Sequence, residues 1–479
     1  MNLARRKGIH ILVAIFVAAI VMAAMALPAL AQQGPQIELT DEEDYADCPD
    51  VAIDSQGNVH VVFERNDGVS GSYGGGVGEI WYTMLDNAGN TLIDDTLVCD
   101  DATERKPAIG VDSQDKVHIV WQSDSGEAIA YIKLDPYLDD RSGNAATLAA
   151  IRVVAKTILY SDSKQIDPRM AIDSNDDVHV VWENSYDYKI AYMQLNSGGG
   201  VVVPYTVVAG IQNNWQRRPF VAVDSNDDPH IVWNNDPGPW YEYEIFYAML
   251  SGVNGNTLIA ATMITPADNI TSQRSDIVVD AEDMVHIFWS DKRAMDQEVY
   301  YTKLDPSLDD QNGDQANESV ITVIDDTMLT TDDDWTSSVP QAALRCGYIH
   351  VTWKDDRINQ GYDPPEDVFY MVLDTNGNVI VAATALTTGS TLGYTHRRAD
   401  NVIPVAVDAN NKAHAAWCDG RDGYYEIWYT SYQGPPCGLA VGGEAYPINQ
   451  IGLLAPWLAL LLAVAGGILV VRRRRTNQT

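Results

Sequence analysis

Three stretches of the chain repeat one chemical grouping, Trp-x-Asp-x-Arg: Trp289/Asp291/Arg293, Trp353/Asp355/Arg357 and Trp417/Asp419/Arg421. A guanidinium fork set beside a carboxylate and an indole can grip a ligand carboxylate through paired hydrogen bonds, or a sugar by stacking. Arg217, Arg218, Arg397 and Arg398, with Trp215 and Trp240, extend the same candidate binding group. The ligand this chemistry suits is a polysaccharide or another surface protein. The simpler use is structural, each Asp–Arg pair tying neighbouring parts of the fold together, as surface ion pairs weakly do.

Two acidic stretches suggest a second chemistry. Leu134–Asn144 carries Asp139 and Asp140, and Leu304–Asp314 carries Asp309, Asp310 and Asp314, in both cases with Asn and Gly nearby. Clustered carboxylates suit an oxygen-ligated cation, so Ca²⁺ is the candidate cofactor, although EF-hand spacing is absent and solvated acidic turns explain the pattern equally. Seven histidines (His60, His118, His179, His230, His286, His350 and His414) invite an acid–base or metal reading. Equivalent residues spread through a repeat are better read as structural hydrogen-bonders than as one convergent site. No Gly-x-Ser-x-Gly nucleophile motif and no phosphate-cradling loop occurs.

The elements that must position these groups follow from the histidines. Each has an aromatic residue three positions later, from Phe63 to Trp417, and all but His350 have an aspartate six positions earlier. The spacings are 58, 61, 51, 56, 64 and 64 residues, so the unit recurs seven times. Within the third unit, Met170–Asp173 and Val178–Trp182 read as strands around a polar turn. Lys189–Leu195 is a third strand and Val201–Val208 a fourth. Four short antiparallel strands repeated seven times predict an all-β, seven-bladed propeller. The seventh unit stops after its third strand, and Gln36–Thr40 resembles the missing fourth, so an N-terminal strand is expected to close the ring. The loops after second strands and the loops joining blades then share one face, which gathers 14 of the 24 basic residues lying between the terminal basic clusters. Trp-x-Asp-x-Arg occurs only in blades five to seven, whereas purely structural pairs should occur in all seven, so a binding role stands beside the simpler structural one.

Over residues 36–433 the motif resembles the repeats of BNR/sialidase-like secreted propellers. Asp-box repeats in that superfamily read Ser-x-Asp-x-Gly-x-x-Trp, whereas Ser174 here lies eight residues before Trp182 rather than seven. The resemblance implies the fold and carries across no catalytic residue.

Composition bounds the rest. The net charge is −36, and the body between the basic termini carries a formal −43, which argues against nucleic-acid binding. Residues 1–31 read as a signal peptide ending Ala29-Leu30-Ala31. Residues 32–433 are the propeller, 434–450 a stalk, 451–471 an apolar run long enough to span a bilayer, and 472–479 a basic tail. This order predicts a single-pass cell-surface protein with its propeller outside and its C-terminus cytoplasmic. Five cysteines fit an exported chain with few bridges. Pairing of Cys48 with Cys99 and of Cys346 with Cys418 is one arrangement the positions allow, with Cys437 left over, and spacing does not decide connectivity. Extracellular binding is therefore the leading expectation. A glycan-active enzyme (a sialidase-like hydrolase or uronate lyase) and a structural envelope component are the alternatives. A convergent Tyr/His/Arg pocket at the channel mouth would favour the enzyme.

Overall fold

The computed structural model describes residues 33–437, apart from 41–44, 67–77, 102, 211–213, 237–241, 295, 358–365, 389–401 and 422–424. The leader 1–31, the apolar run 451–471, the tail 472–479 and most of the stalk lie outside the described residues. No helix among the described residues is long and apolar enough to cross a membrane.

Each repeat forms a four-stranded antiparallel sheet with its strands in chain order. Blade 1 spans Tyr45 to Cys99, blade 2 Arg105 to Ser161, blade 3 Gln165 to Gly210 and blade 4 Trp215 to Met263. Blade 5 runs from Ser272 to Met328 and blade 6 from Ser337 to Ala385. Blade 7 takes Val405–Val407, Lys412–Asp419 and Glu426–Gln433 from the end of the chain and Ile37–Glu38 from its beginning. Ile37 faces Tyr429 and Glu38 faces Trp428. The lacing extends beyond the ladder, with the Gly34 amide donating to Ser431 O at 2.7 Å and the Leu39 amide to Ile427 O at 2.8 Å. The expected closing strand is in place.

The hydrophobic core lies between blades. Second strands such as Val178–Asn184 are buried on both faces, as their unbroken apolar run requires, while fourth strands such as Val201–Gly210 are largely exposed. Trp121 of blade 2 belongs to one cluster with Val62, Ile80 and Tyr82 of blade 1, and Trp182 of blade 3 to another with Val120 and Ile129 of blade 2. Six such tryptophans are fully buried, each worth roughly 1.5–3 kcal/mol by area.

The histidines prove to be the hubs of a buried triad. In every blade Nδ1 meets a third-strand tyrosine hydroxyl, for example His118 with Tyr131 at 3.0 Å and His179 with Tyr192 at 2.9 Å. Nε2 meets the aspartate that ends the first strand, Asp112 and Asp173, at 3.1 Å in both blades. In blade 6 the turn is tighter, with Leu344 paired to Ile349 and Arg345 to Tyr348, so no aspartate ends the first strand and His350 bonds instead to Asn411 of blade 7 at 3.0 Å. The serine following the aspartate reaches the next blade. Ser113 donates through its amide and its hydroxyl to Asp176 (2.7 and 2.9 Å), and Ser225 likewise to Asp283 (both 2.8 Å). Asp-Ser in the turns of blades 1 to 4 is thus a stitch to the next blade, which explains its recurrence there.

First strands carry a different device. Each of the first six has a bulge whose extra residue is left-handed: Cys48, Lys106, Asp167, Arg218, Arg274 and Val339, with φ between 49° and 58°. Proline follows in all but blade 5, consistent with a strand that must break its ladder there.

The acidic stretches are connectors between third and fourth strands of blades 2 and 5. Each makes a short helical turn, Pro136–Leu138 or Pro306–Leu308, and then docks on the outer strand of the preceding blade. Asp94 bridges Ala145, and Ala260 bridges Gln315. They cover exposed strand edges. The cysteines follow another arrangement: Cys346 and Cys437 are half-cystines, while Cys48, Cys99 and Cys418 are thiols.

Candidate functional site

Because the bulges step each first strand out of register, the residues just after them line a cavity of about 200 Å³ on the propeller axis. Asp50, Lys106, Asp167, Arg169, Asp276 and Gln341 supply its polar lining. Arg169, Arg218, Arg274 and Ser275 border an adjoining recess, so blades 3, 4 and 5 each contribute an arginine. The Ser275 hydroxyl is buried there without a partner among the described residues.

Arg169 is held flat over Phe220, 4.8 Å from the ring centre, and donates to its neighbour Pro168 O at 3.0 Å. Among the described residues it enters no ion pair. Three carboxyls share its cavity, those of Asp50, Asp276 and the Lys106-paired Asp167. Asp50 accepts from the amides of Val51 and Ile109, both at 2.9 Å, and Asp276 from Ile277 at 2.8 Å and Ala342 at 2.7 Å. Asp50 and Asp276 therefore also tie their bulges to the following blade. Burial raises both, and pushes Asp276 up to about 7 against the pull of its amide donors and Arg169. Lys106 pairs with Asp167, and burial with the nearby Asp167 charge brings Glu183 behind them to about 7. The arrangement offers a preorganised cation, a carboxyl that titrates near neutrality and room for one small anionic group.

The residues singled out by spacing serve elsewhere. Asp291 takes the Trp289 indole N–H at 2.8 Å and the Ser272 hydroxyl at 2.8 Å, and pairs with Arg293 at 2.9 Å. Arg293 also meets Asp326 of its own blade at 2.8 Å. Asp355 pairs with Arg357 at 2.6 Å, and Asp419 with Arg421, whose other arm reaches Gln36 of the closing strand at 2.8 Å. In blades 2 to 4 the indole is satisfied by Glu104, Gln165 or Gln216 instead. Trp-x-Asp-x-Arg is thus an alternative way to satisfy one buried indole, and it acts mostly within a blade rather than between blades. Arg217 stacks on Trp215 at 4.0 Å, and Arg218 borders the recess. Arg397, Arg398 and Trp240 lie outside the described residues.

The calcium candidates are not brought together. Asp139 accepts from the Arg141 amide, Asp140 from Ser142, and Asp309 from Gln311, each as a turn cap. Asp310 accepts from the Asn312 side chain at 3.1 Å, and the Asp314 amide donates to Asn312. Among the described residues the one set spaced for a metal is Cys99, Asp101 and Glu104. The Lys156 ammonium already bonds all three, at 3.5, 2.9 and 2.8 Å. A convergent Tyr/His/Arg pocket, the feature that would distinguish the enzyme alternative, is not formed by the described residues, because the seven repeat histidines and their tyrosines are committed to the triads. What sequence reasoning missed is the position two residues on from each left-handed bulge residue, occupied by Asp50, Ala108, Arg169, Phe220, Asp276 and Gln341, with Pro404 at the matching register in blade 7. It is a place where otherwise similar repeats diverge in chemistry, and that divergence was the available signal.

No protein-family model matches the chain, and no curated protein matches its sequence. Solved structures do match. A Dyadobacter fermentans protein of unknown function aligns over 84% of this chain and 99% of its own, at 10% identity and a TM-score of 0.50. An ulvan lyase from a new polysaccharide lyase family, bound to a GlcA(1-4)Rha3S repeat, aligns over 82% and 95%, at 9% identity and a TM-score of 0.52. A phage phi92 endosialidase aligns over 87% and 71% at 8% identity and 0.45. At such identities the likeness is one of fold. The chain is a seven-bladed propeller, and it shares that architecture with the ulvan lyase.

Proposed function

We propose that the protein takes an acidic polysaccharide, one bearing uronate or sulfate groups, at the blade 3 to 5 side of its axial cavity. The observation that carries this reading is Arg169: a guanidinium facing the cavity, stacked on Phe220 and outside any described ion pair, in a chain of net charge −36. A body that acidic repels polyanions, so an anionic ligand needs a site of locally reversed charge, and Arg218 and Arg274 beside Arg169 supply one. A planar guanidinium matches carboxylate or sulfate oxygens in a bidentate manner. The ulvan lyase of the same fold holds a chain built of a uronate and a sulfated sugar, which supports the ligand class. The leader 1–31 and the apolar run 451–471 with its basic tail support display of the propeller outside a cell membrane.

A second reading, that the bound chain is also cleaved, is favoured by Asp276. A carboxyl titrating at about 7 beside the arginine is suited to proton transfer. Both readings are tested together by binding and depolymerisation assays with uronate-containing, sulfated and neutral polysaccharides. Arg169→Ala is expected to lose about tenfold or more in affinity for acidic chains. Unchanged binding in that variant sinks the site assignment. An ultraviolet-absorbing unsaturated uronate product, lost in Asp276→Asn, would place the protein among the enzymes. Because deprotonation of Asp276 adds a negative charge near Arg169, affinity is expected to fall as pH rises from 6 to 8, a trend that titration at fixed ionic strength would reveal.

A further inference from the structure

We infer that a second sugar subsite adjoins the cavity on the aromatic pair Tyr188 and Trp215, and that it takes a further ring of the same acidic chain, with Arg217 holding that ring's anionic group. This rests on the cavity reading above.

Trp215 opens the first strand of blade 4, the strand that also supplies Arg218 and Phe220 to the recess. From Trp215 to Phe220 is about 16 Å along the strand, a span of several sugar rings. The edge of Tyr188 meets the Trp215 ring, with centroids 5.2 Å apart and planes at 60°. Both rings are only half buried, and Tyr188 keeps φ at 57°, a conformation that a bulky side chain rarely adopts. Beside them Tyr186 is 65% exposed.

Arg217 completes the group. Its guanidinium lies 4.0 Å from the Trp215 ring centre, and its buried Nε has no partner among the described residues. The contrast with other stacked arginines is the argument. Arg65, Arg293, Arg357 and Arg421 each stack on a third-strand aromatic ring, and each is also paired to an aspartate. Arg217 stacks without a direct ion pair to a described residue; the charge that faces it is the buried Glu183 carboxyl, which burial raises to about 7 and so leaves partly protonated near neutrality. A seam-sealing role would require similar residues at the same place in other blades. Three positions before the bulge, blades 2, 3, 5 and 6 have Thr103, Lys164, Thr271 and Thr336. Only Tyr45 of blade 1 is aromatic, and it packs on Tyr425 at 6.0 Å. An aromatic face with an adjacent guanidinium that has no direct ion pair among the described residues fits a pyranose carrying a carboxylate or sulfate.

The test is equilibrium binding of the full-length chain to sulfated, glucuronate-containing oligosaccharides, comparing a disaccharide with longer chains. Trp215→Ala and Tyr188→Ala are expected to lose roughly tenfold in affinity for the longer chains and to bind the disaccharide as the parent does. Arg217→Ala should behave likewise. Trp215→Phe should retain most long-chain affinity, which keeps the test decisive if Trp215→Ala is unstable. Arg169→Ala should weaken both lengths, and that arm alone judges the cavity. Loss that is independent of chain length, or no loss in the Trp215 and Tyr188 variants, overturns the subsite whatever Arg169→Ala shows.

Discussion

His286 has no freedom left to titrate usefully. Its Nδ1 meets the Tyr301 hydroxyl at 2.9 Å and its Nε2 meets Asp280 at 3.0 Å, so a neutral ring donates from Nε2 and accepts at Nδ1. Burial lowers its pKa, with Asp280 opposing. His286→Ala would leave a buried carboxylate and a buried phenol without their partner. That is expected to cost about 2–4 kcal/mol, read as a shifted urea midpoint. Arg293 is a different case, since its side chain is 20% exposed and solvent screens its pair with Asp291. Arg293→Ala should cost about 1 kcal/mol or less in the same measurement. Both residues stood out in the sequence, and only geometry could rank them. The histidine's structural role was legible because it recurs in all seven repeats. The arginine's was not, because the buried indole it helps to satisfy is satisfied differently in blades 2 to 4.

Strand closure and strand bulging place opposite demands on sequence reading. The closing strand was visible because a fourth strand was missing at one end and an orphan resembling it stood at the other. Deleting residues 33–40 removes the cover from the Glu426–Gln433 edge and the Thr40 hydroxyl bond to Glu426. The expected outcome is a lower melting temperature together with concentration-dependent association, seen by light scattering during a thermal ramp. The bulges were not visible. A left-handed residue such as Lys106 or Asp167 leaves the alternation of apolar residues almost undisturbed, yet it decides which neighbour faces the axis. The Pro in Asp167-Pro168-Arg169 marks the break, but not the direction in which Arg169 points.

Across the whole molecule, buried carboxyls set the pH at which the fold is most stable. Burial brings Glu183, Glu244, Asp276 and Glu298 up to about 7 and Asp356 to about 6. Between about pH 4 and 7 these groups bind more protons folded than unfolded, so stability falls as pH rises through that window. The turn aspartates act in the other direction. Although burial opposes it, bonds from His60 and His118 hold Asp54 and Asp112 well below the ordinary carboxylate range, and the Lys412 and Asn410 amides with the Asn87 side chain do the same for Asp408. Their contribution is present above about pH 4 and lost below it. The melting temperature should therefore peak near pH 4 to 5 and decline towards neutrality, as a calorimetric pH series would show. A peak at or above pH 7 would mean that the buried carboxyls are not protonated in the fold.

The ladder between Ile37 and Tyr429 also imposes a schedule. Its two strands are separated by nearly the whole propeller in sequence, so in a chain made from the N-terminus the first waits for the second. At about 5–20 residues per second, roughly 390 residues take on the order of 20 to 80 seconds. For that interval every completed blade belongs to an open arc with a bare edge at each end. A permuted gene that moves residues 33–40 behind Gln433, joined through a short turn, would abolish the wait while keeping the ladder that closes the ring.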